Sequence, residues 1–263
     1  VRSRRQRQMC IRDSHMTREK KARQNKEMCP STQYDVHQLL GKGSYGSVYL
    51  ATHRDNGKQY AIKKILVASH SVTPYVRLCV LNELRLLATH ACPFIVTFKE
   101  AYVHNQMLCL VTEYASMGDV QQLVRTHATK REPIHEHTVF DILLQTAIAV
   151  DYLHKLSVLH RDLKPANVLL DANRNVKVAD LGIAKILRNA GHGQTQIGTP
   201  LYMSPEILKR ERYGTKSDAW ALGCVVHELM HLRPAFDSVN VYALRNRILA
   251  GRAGAAPTPS WLA

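Results

Sequence analysis

Three glycines spaced as Gly41-Lys42-Gly43-Ser44-Tyr45-Gly46 can bring bare backbone N–H groups against phosphate oxygens, because no Cβ stands between peptide and anion. The same spacing opens dinucleotide sites, where the glycines lead into a helix whose N-terminus carries the pyrophosphate. Here Val48 to Ala51 and the turn Asp55-Asn56-Gly57 follow instead, so the glycines lie at a hairpin tip suited to covering a triphosphate. An ordinary glycine-rich hairpin would read the same if it stood alone. It is followed, in order, by Ala61-Ile62-Lys63, His160-Arg161-Asp162-Leu163-Lys164-Pro165-Ala166-Asn167 and Asp180-Leu181-Gly182. Gly198-Thr199-Pro200, Ser204-Pro205-Glu206 and Asp218-x-Trp220-x-x-Gly223 complete the series.

Residues so far apart in sequence need a scaffold to meet. From Tyr34 the pattern reads strand, glycine loop, strand, turn, strand, ending in Tyr60 to Ile65. Pro74 to Thr89 has helical spacing at Val76, Val80, Leu84 and Leu87, and Ile95–Phe98 and Met107–Thr112 read as two more strands. Beyond Gly118 the chain turns helical. Thr138 to Leu156 shows an apolar face of Phe140, Leu143, Leu144, Ala147 and Val150, and Asp218 to Leu232 is apolar on most of its circumference, as in a helix buried on several sides. A small β-rich unit thus precedes a mainly helical one.

Composition agrees with an ordinary folded chain: 263 residues, 45% hydrophobic and 22% charged. A net charge of +15 invites a nucleic-acid reading, but residues 1–33 hold ten Lys/Arg against three Asp/Glu, leaving the remainder mildly basic and without an aromatic-interleaved basic stripe. Neither a nucleic-acid partner nor a membrane is expected. The leader (1–33) is expected to be a disordered basic segment. Its string Arg5 to Ser14 resembles translated sequencing-adapter sequence, so it is left out of the functional reading, with Met16 read as the start. Six scattered cysteines form no CxxC pair, and no apolar run reaches membrane-spanning length, which points to a reducing, intracellular setting.

The ordered motifs resemble the eukaryotic protein-kinase signature over residues 34 to about 250. The resemblance implies an α+β, bilobal fold, with a β-rich N-lobe (34–114) and a helical C-lobe (115–263). It also implies transfer of the γ-phosphate of MgATP to a protein hydroxyl, a reaction that depends on holding the nucleotide, neutralising charge and aiming the acceptor. By resemblance Lys63 contacts the α/β-phosphates and pairs with Glu83. Asp180 and Asn167 hold Mg²⁺, Asp162 takes or orients the hydroxyl proton, and Lys164 steadies the γ-phosphate. Gly41, Gly43 and Gly46 cover the phosphates. Leu40, Val48, Ala61 and Leu169 sandwich the adenine, Thr112 is the gatekeeper, Glu113 to Ala115 form the hinge, and Asp119 meets the ribose. Leu87, Phe98, His160 and Leu181 match the apolar column that aligns the two lobes.

Lys164 and Thr199 resemble the serine/threonine branch. Leu181 stands where Phe is usual and Ser204 where Ala is usual, and both variants resemble NIMA-related kinases. Thr199 then has a substrate-positioning role, and Thr195 is the expected activation-loop phosphosite, set by an upstream kinase or by autophosphorylation and paired with Arg161 and Lys185. Ala166 stands where many arginine-directed kinases carry Glu, so no strong need for upstream arginine is expected, and the resemblance implies an apolar residue upstream of the target Ser/Thr. The C-lobe is expected to be truncated at Ala263, leaving Glu206 without its usual arginine. The alternative is a catalytically inactive kinase-like binding or scaffold module, a class that typically lacks the equivalents of Lys63, Asp162 or Asp180; all three are present here.

Overall fold

The computed structural model describes residues 33–43, 46–66, 91–180 and 200–254. Five antiparallel strands come first among the described residues: β1 (Tyr34–Gly43), β2 (Gly46–His53), β3 (Gln59–Leu66), β4 (Phe98–His104) and β5 (Met107–Glu113). They lie in the order β1-β2-β3-β5-β4. The β2–β3 turn forms as its sequence dictates: the Asn56 side chain accepts from Lys58 N at 2.9 Å, and Gly57 takes a left-handed φ of 66°. The expected strand at Ile95–Phe98 begins later, at Phe98, and Ile95 instead makes an isolated parallel bridge to Val178. The helix expected over 74–89 lies outside the described residues.

Period-two alternation decides which side chains reach the site. On β3, Ala61, Lys63 and Ile65 face a cleft, while Ile62 points to the opposite face. There it packs with Tyr34, Ala51, Cys109 and Val111, and the Tyr34 hydroxyl donates to Glu100 across that face.

The helical part contains α1 (Val120–Lys130), α2 (Glu136–Lys155), α3 (Pro205–Leu208), α4 (Thr215–His231) and α5 (Val241–Leu249), with a short hairpin of β6 (Val168–Leu170) and β7 (Val176–Val178) after α2. Asp119 caps α1, accepting from Gln122 N at 2.8 Å, and α1 ends at Arg131 in the left-handed conformation. The core packs Ala149, Val150 and Leu153 of α2 against Ala221, Val225 and Leu229 of α4 and Val168, Val176 and Val178 of the hairpin. As expected, α4 is buried on several sides, since Cys224 joins a second cluster with Phe236, Leu244 and Ile248.

The apolar face expected for α2 needs correction. The helix buries Val139, Ile142, Thr146, Ala149, Val150 and Leu153, whereas Phe140 is 60% and Leu144 48% exposed. Of the five residues read as that face, only Val150 is buried. The helix is apolar around most of its circumference, so spacing alone does not choose the face, and the choice falls to the surface that α4 and the β6–β7 hairpin offer.

Candidate functional site

A cleft of about 870 Å³ runs between the sheet and the helical part. Leu40, Gly41 and Val48 line it from β1 and β2, Ala61 and Lys63 from β3, and Thr112 from β5. Ala115, Asp119 and Leu169 close it from below, and Asn167 and Asp180 stand at its polar end. Most residues expected to hold a nucleotide are thus brought together. Tyr114, within the expected hinge, lines the cleft as well, and so does Met117, which was not singled out from sequence because a connecting segment carries no periodicity to mark the side that faces in.

Two expected members play different parts. Gly46 has φ 142°, and a Cβ built on it would stand 2.1 Å from the Lys64 carbonyl oxygen. The glycine is therefore required by the close approach of β3, whereas a Cβ on Gly41 would meet nothing within 4 Å. Gly43 pairs with Gly46 where β1 and β2 meet. Glu113 continues the alternation of β5, in which Leu110 and Thr112 face the cleft, so its side chain turns away and accepts from Thr97 and Lys177. Asp119 lines the cleft while its Oδ1 caps α1.

At the polar end Lys63 Nζ lies 2.6 Å from Asp180 Oδ1, an ion pair that joins the sheet to the segment leaving β7. Lys164 Nζ lies 2.8 Å from Asp162 Oδ2. The Asn167 amide nitrogen donates to the Asp162 carbonyl at 2.7 Å and to Oδ2 at 3.1 Å. With that nitrogen committed as a donor, the remaining amide oxygen of Asn167 and the carboxylate of Asp180 form a hard oxygen pair of the kind Mg²⁺ prefers, so the donor chemistry fits that ion. Glu83, Leu87, Leu181, Lys185, Thr195 and Thr199 lie outside the described residues.

Buried polar groups hold this constellation in place. His160 is fully buried. Its Nε2 lies 3.0 Å from the Ala179 carbonyl, and its Nδ1 accepts from Asp162 N at 3.3 Å, so the neutral ring spans the two acidic segments. Burial holds its pKa below the ordinary histidine value, against the pull of Asp218 and the Ala179 carbonyl. Arg161 and Asp180 both adopt left-handed backbone, at φ 65° and 62°, a conformation that is costly for residues with side chains and is kept only where surrounding contacts enforce it.

Asp218, at the start of α4, supplies that enforcement for the first of them. Its fully buried carboxylate accepts from His154 Nε2 at 2.8 Å, His160 N at 2.9 Å, Arg161 N at 3.0 Å and the Tyr213 hydroxyl at 2.5 Å. Burial works against its ionisation, but the Tyr213, His154 and backbone donors outweigh it and hold the carboxyl below its usual range. The Asp218-x-Trp220 pair was legible as a motif, but the anchoring role was not. The Glu206 carboxylate, expected to lack its arginine, accepts from Ser217 Oγ at 2.5 Å. Burial disfavours its ionised form, yet the Ser217 and backbone donors keep its pKa below the ordinary value.

Comparison with known proteins agrees with this geometry. Residues 34–254 match the protein kinase domain. The chain is 40% identical over 225 residues to serine/threonine-protein kinase Nek4 of Mus musculus, covering 85% of this chain and 28% of that protein. It is 37% identical over 228 residues to serine/threonine-protein kinase Nek6 of Oryza sativa subsp. japonica, covering 86% and 41%. Against serine/threonine-protein kinase nekl-2 of Caenorhabditis elegans it is 33% identical over 221 residues, covering 82% and 62%. The chain therefore spans less than two thirds of the length of these relatives.

Proposed function

The chain belongs to the protein kinase family, and from that premise we propose that it transfers the γ-phosphate of MgATP to serine and threonine hydroxyls of proteins. The observation that carries this reading is that Lys63, Asp180 and Asn167 meet at the polar end of one cleft, with Asp162 hydrogen-bonded to Asn167 and ion-paired with Lys164 beside it. Residues 34–263 act as the catalytic domain, divided after Tyr114 into N- and C-lobes. The adenine lies between Leu40, Val48 and Ala61 on one side and Leu169 on the other, near Thr112 and the backbone of Glu113 to Ala115, with Asp119 toward the ribose. Gly41, Gly43 and Gly46 cover the phosphates, and Lys63 neutralises the α/β-phosphate oxygens, paired also with Glu83.

Asp180 and Asn167 hold magnesium, which when bound offsets the charge of the phosphate oxygens. Asp162 accepts the proton of the acceptor hydroxyl as its oxygen bonds to the γ-phosphorus and the bond to the β-phosphate oxygen breaks, and Lys164 balances the charge that builds up on the transferred group. Thr199 positions the substrate hydroxyl, and phosphorylation of Thr195 by itself or by another kinase orders the segment between Asp180 and Glu206. The relatives' printed names support the serine/threonine branch, and the protein substrates follow from it. Among the described residues no helix is long and apolar enough to cross a membrane.

The test is transfer of labelled γ-phosphate from MgATP to casein, comparing the chain with Asp180→Ala. A metal-holding carboxylate contributes several kcal/mol to such a transition state, so the variant is expected to lose about a hundredfold or more. Equal transfer by both proteins would sink the assignment of Asp180. No transfer by either, with nucleotide still bound, would favour the binding-module alternative.

A further inference from the structure

Glu113 ends β5 at the segment that faces the adenine, but its side chain works elsewhere. Its Oε1 accepts from Thr97 N at 2.7 Å, from Thr97 Oγ1 at 2.9 Å and from Lys177 Nζ at 3.0 Å. Its own N–H donates to the Thr97 carbonyl at 2.9 Å, so the two backbones are tied in both directions. Lys177 sits on β7 between the fully buried Val176 and Val178, and its side chain is only 13% exposed. An ammonium buried that far needs a counter-charge, and Glu113 supplies it.

The strand that carries Lys177 is also the strand that delivers the metal-holding residue. Val178 N donates to Phe94 O at 2.8 Å and Val96 N to Val178 O at 3.0 Å, so β7 grips the segment running into Thr97. One residue beyond β7, Ala179 N donates to the Asn167 carbonyl at 2.9 Å, and Asp180 follows. A continuous path therefore runs from the adenine-facing backbone through the Glu113 carboxylate to Lys177, and from there to Asn167 and Asp180.

We propose that Glu113 and Lys177, seated on Thr97, are a positioning pair. They set the spacing between the adenine-binding backbone and the phosphate end of the cleft, and so govern nucleotide affinity more than the chemical step. This rests on the reading of the cleft as a nucleotide site. A nucleotide is a rigid ruler between those two ends, and a cleft whose ends are not fixed relative to one another cannot satisfy both at once.

The experiment compares the full chain with Glu113→Gln, Lys177→Met, Lys177→Arg and the double variant Glu113→Gln/Lys177→Met. The readouts are steady-state kcat and KM for ATP, binding of a fluorescent ADP analogue, and melting temperature. Glu113→Gln keeps an acceptor for Thr97 but loses the charge, and Lys177→Met keeps the stem but loses the ammonium. Each is expected to raise both KM and the analogue's Kd by about three- to tenfold while kcat stays within about twofold. Lys177→Arg stays near the wild type, and the double variant is no worse than the weaker single one, as for two halves of one interaction.

Simple destabilisation lowers the active fraction, and with it apparent kcat, but leaves KM alone. Unchanged KM and Kd in both single variants, additive losses in the double variant, or a fall in kcat at constant KM would each overturn the pair. If the wild-type chain binds no nucleotide, the kinase reading falls and the pair falls with it; if it binds and the variants bind equally well, only the pair falls.

Discussion

Replacing Asp218 by asparagine keeps the shape of the side chain and removes its charge from a fully buried site with four donors. Oδ2 serves His154 Nε2 and His160 N, while Oδ1 serves Arg161 N and the Tyr213 hydroxyl. The histidine can change tautomer and the hydroxyl can rotate, so either side-chain donor can adapt to an amide nitrogen. The backbone cannot adapt. Whichever way the amide is turned, one N–H, of His160 or of Arg161, faces another donor, which costs about 1–3 kcal/mol. The bonds that survive lose their charge assistance, and the total falls at about 3–5 kcal/mol, as for other buried charges stripped of a partner or of their ionisation. For a chain of this size that is a melting point lower by about 6–20 °C. Thermal unfolding followed by circular dichroism measures it, with Tyr213→Phe as the control that removes one rotatable hydroxyl bonded to the charged group and costs about 1.5–3 kcal/mol. A shift below about 2 °C for Asp218→Asn, or an equal shift for Tyr213→Phe, would refute the view that the two backbone amides are what the carboxylate holds.

Gly46→Ala places a methyl 2.1 Å from the Lys64 carbonyl and is expected to cost about 2 kcal/mol or more in denaturant unfolding, whereas Gly41→Ala, with open space around it, stays within about 0.5 kcal/mol. His160 has a folded pKa below its unfolded value, so the unfolded chain takes up the proton first. Its contribution is therefore complete above about pH 6.5 and is lost as pH falls through the window below it, with a slope of up to about 1.4 kcal/mol per pH unit. Melting curves from pH 7.5 to 5 should show that slope diminished in His160→Phe relative to the wild type, and parallel curves would contradict it. Thr195→Ala should leave the chain with only basal transfer after incubation with ATP, and wild-type activity in the fully phosphorylated preparation would remove Thr195 from the scheme.

The cleft was legible because its chemistry is written in short, ordered motifs. Lys63, Asp162, Asn167 and Asp180 each carry a residue type that the reaction needs, and alternation on β3 and β5 then places Ala61, Lys63 and Thr112 on one face. What escaped was the choice among equivalent surfaces. On α2, Phe140 and Leu144 are as apolar as Val139 and Ile142, and only the position of α4 and the β6–β7 hairpin decides which pair is buried. The short α5, bounded by its Asn240 cap, and the three-residue strands β6 and β7 are too brief for periodicity to announce. The partners of Glu113 escaped for a different reason: Thr97 and Lys177 lie 16 and 64 residues away, and although alternation turns the carboxylate out of the cleft, nothing local says what it meets there.

The residues that would do chemistry are held by residues that would not, and the two sets are joined by backbone. Asp218 acts on the amides of His160 and Arg161, not on side chains, so it fixes the path of the chain entering Asp162 whatever side chains the loop carries. His160 then uses both ring nitrogens to tie the Asp162 amide to the Ala179 carbonyl, which sets the two acidic segments at a common distance. Each tie ends on a fully buried side chain, Asp218 or His160, and away from water a hydrogen bond is stronger and its loss costlier than at the surface. Because Asp218 is carried by α4, and α4 is located by packing on α2 through Ala221, Val225 and Leu229, the position of Asp162 is referred back to the hydrophobic core. Lys63 reaches the same point from the sheet through Asp180, so the polar end of the cleft is fixed by two independent bodies of structure, one apolar and helical, one a strand of the sheet.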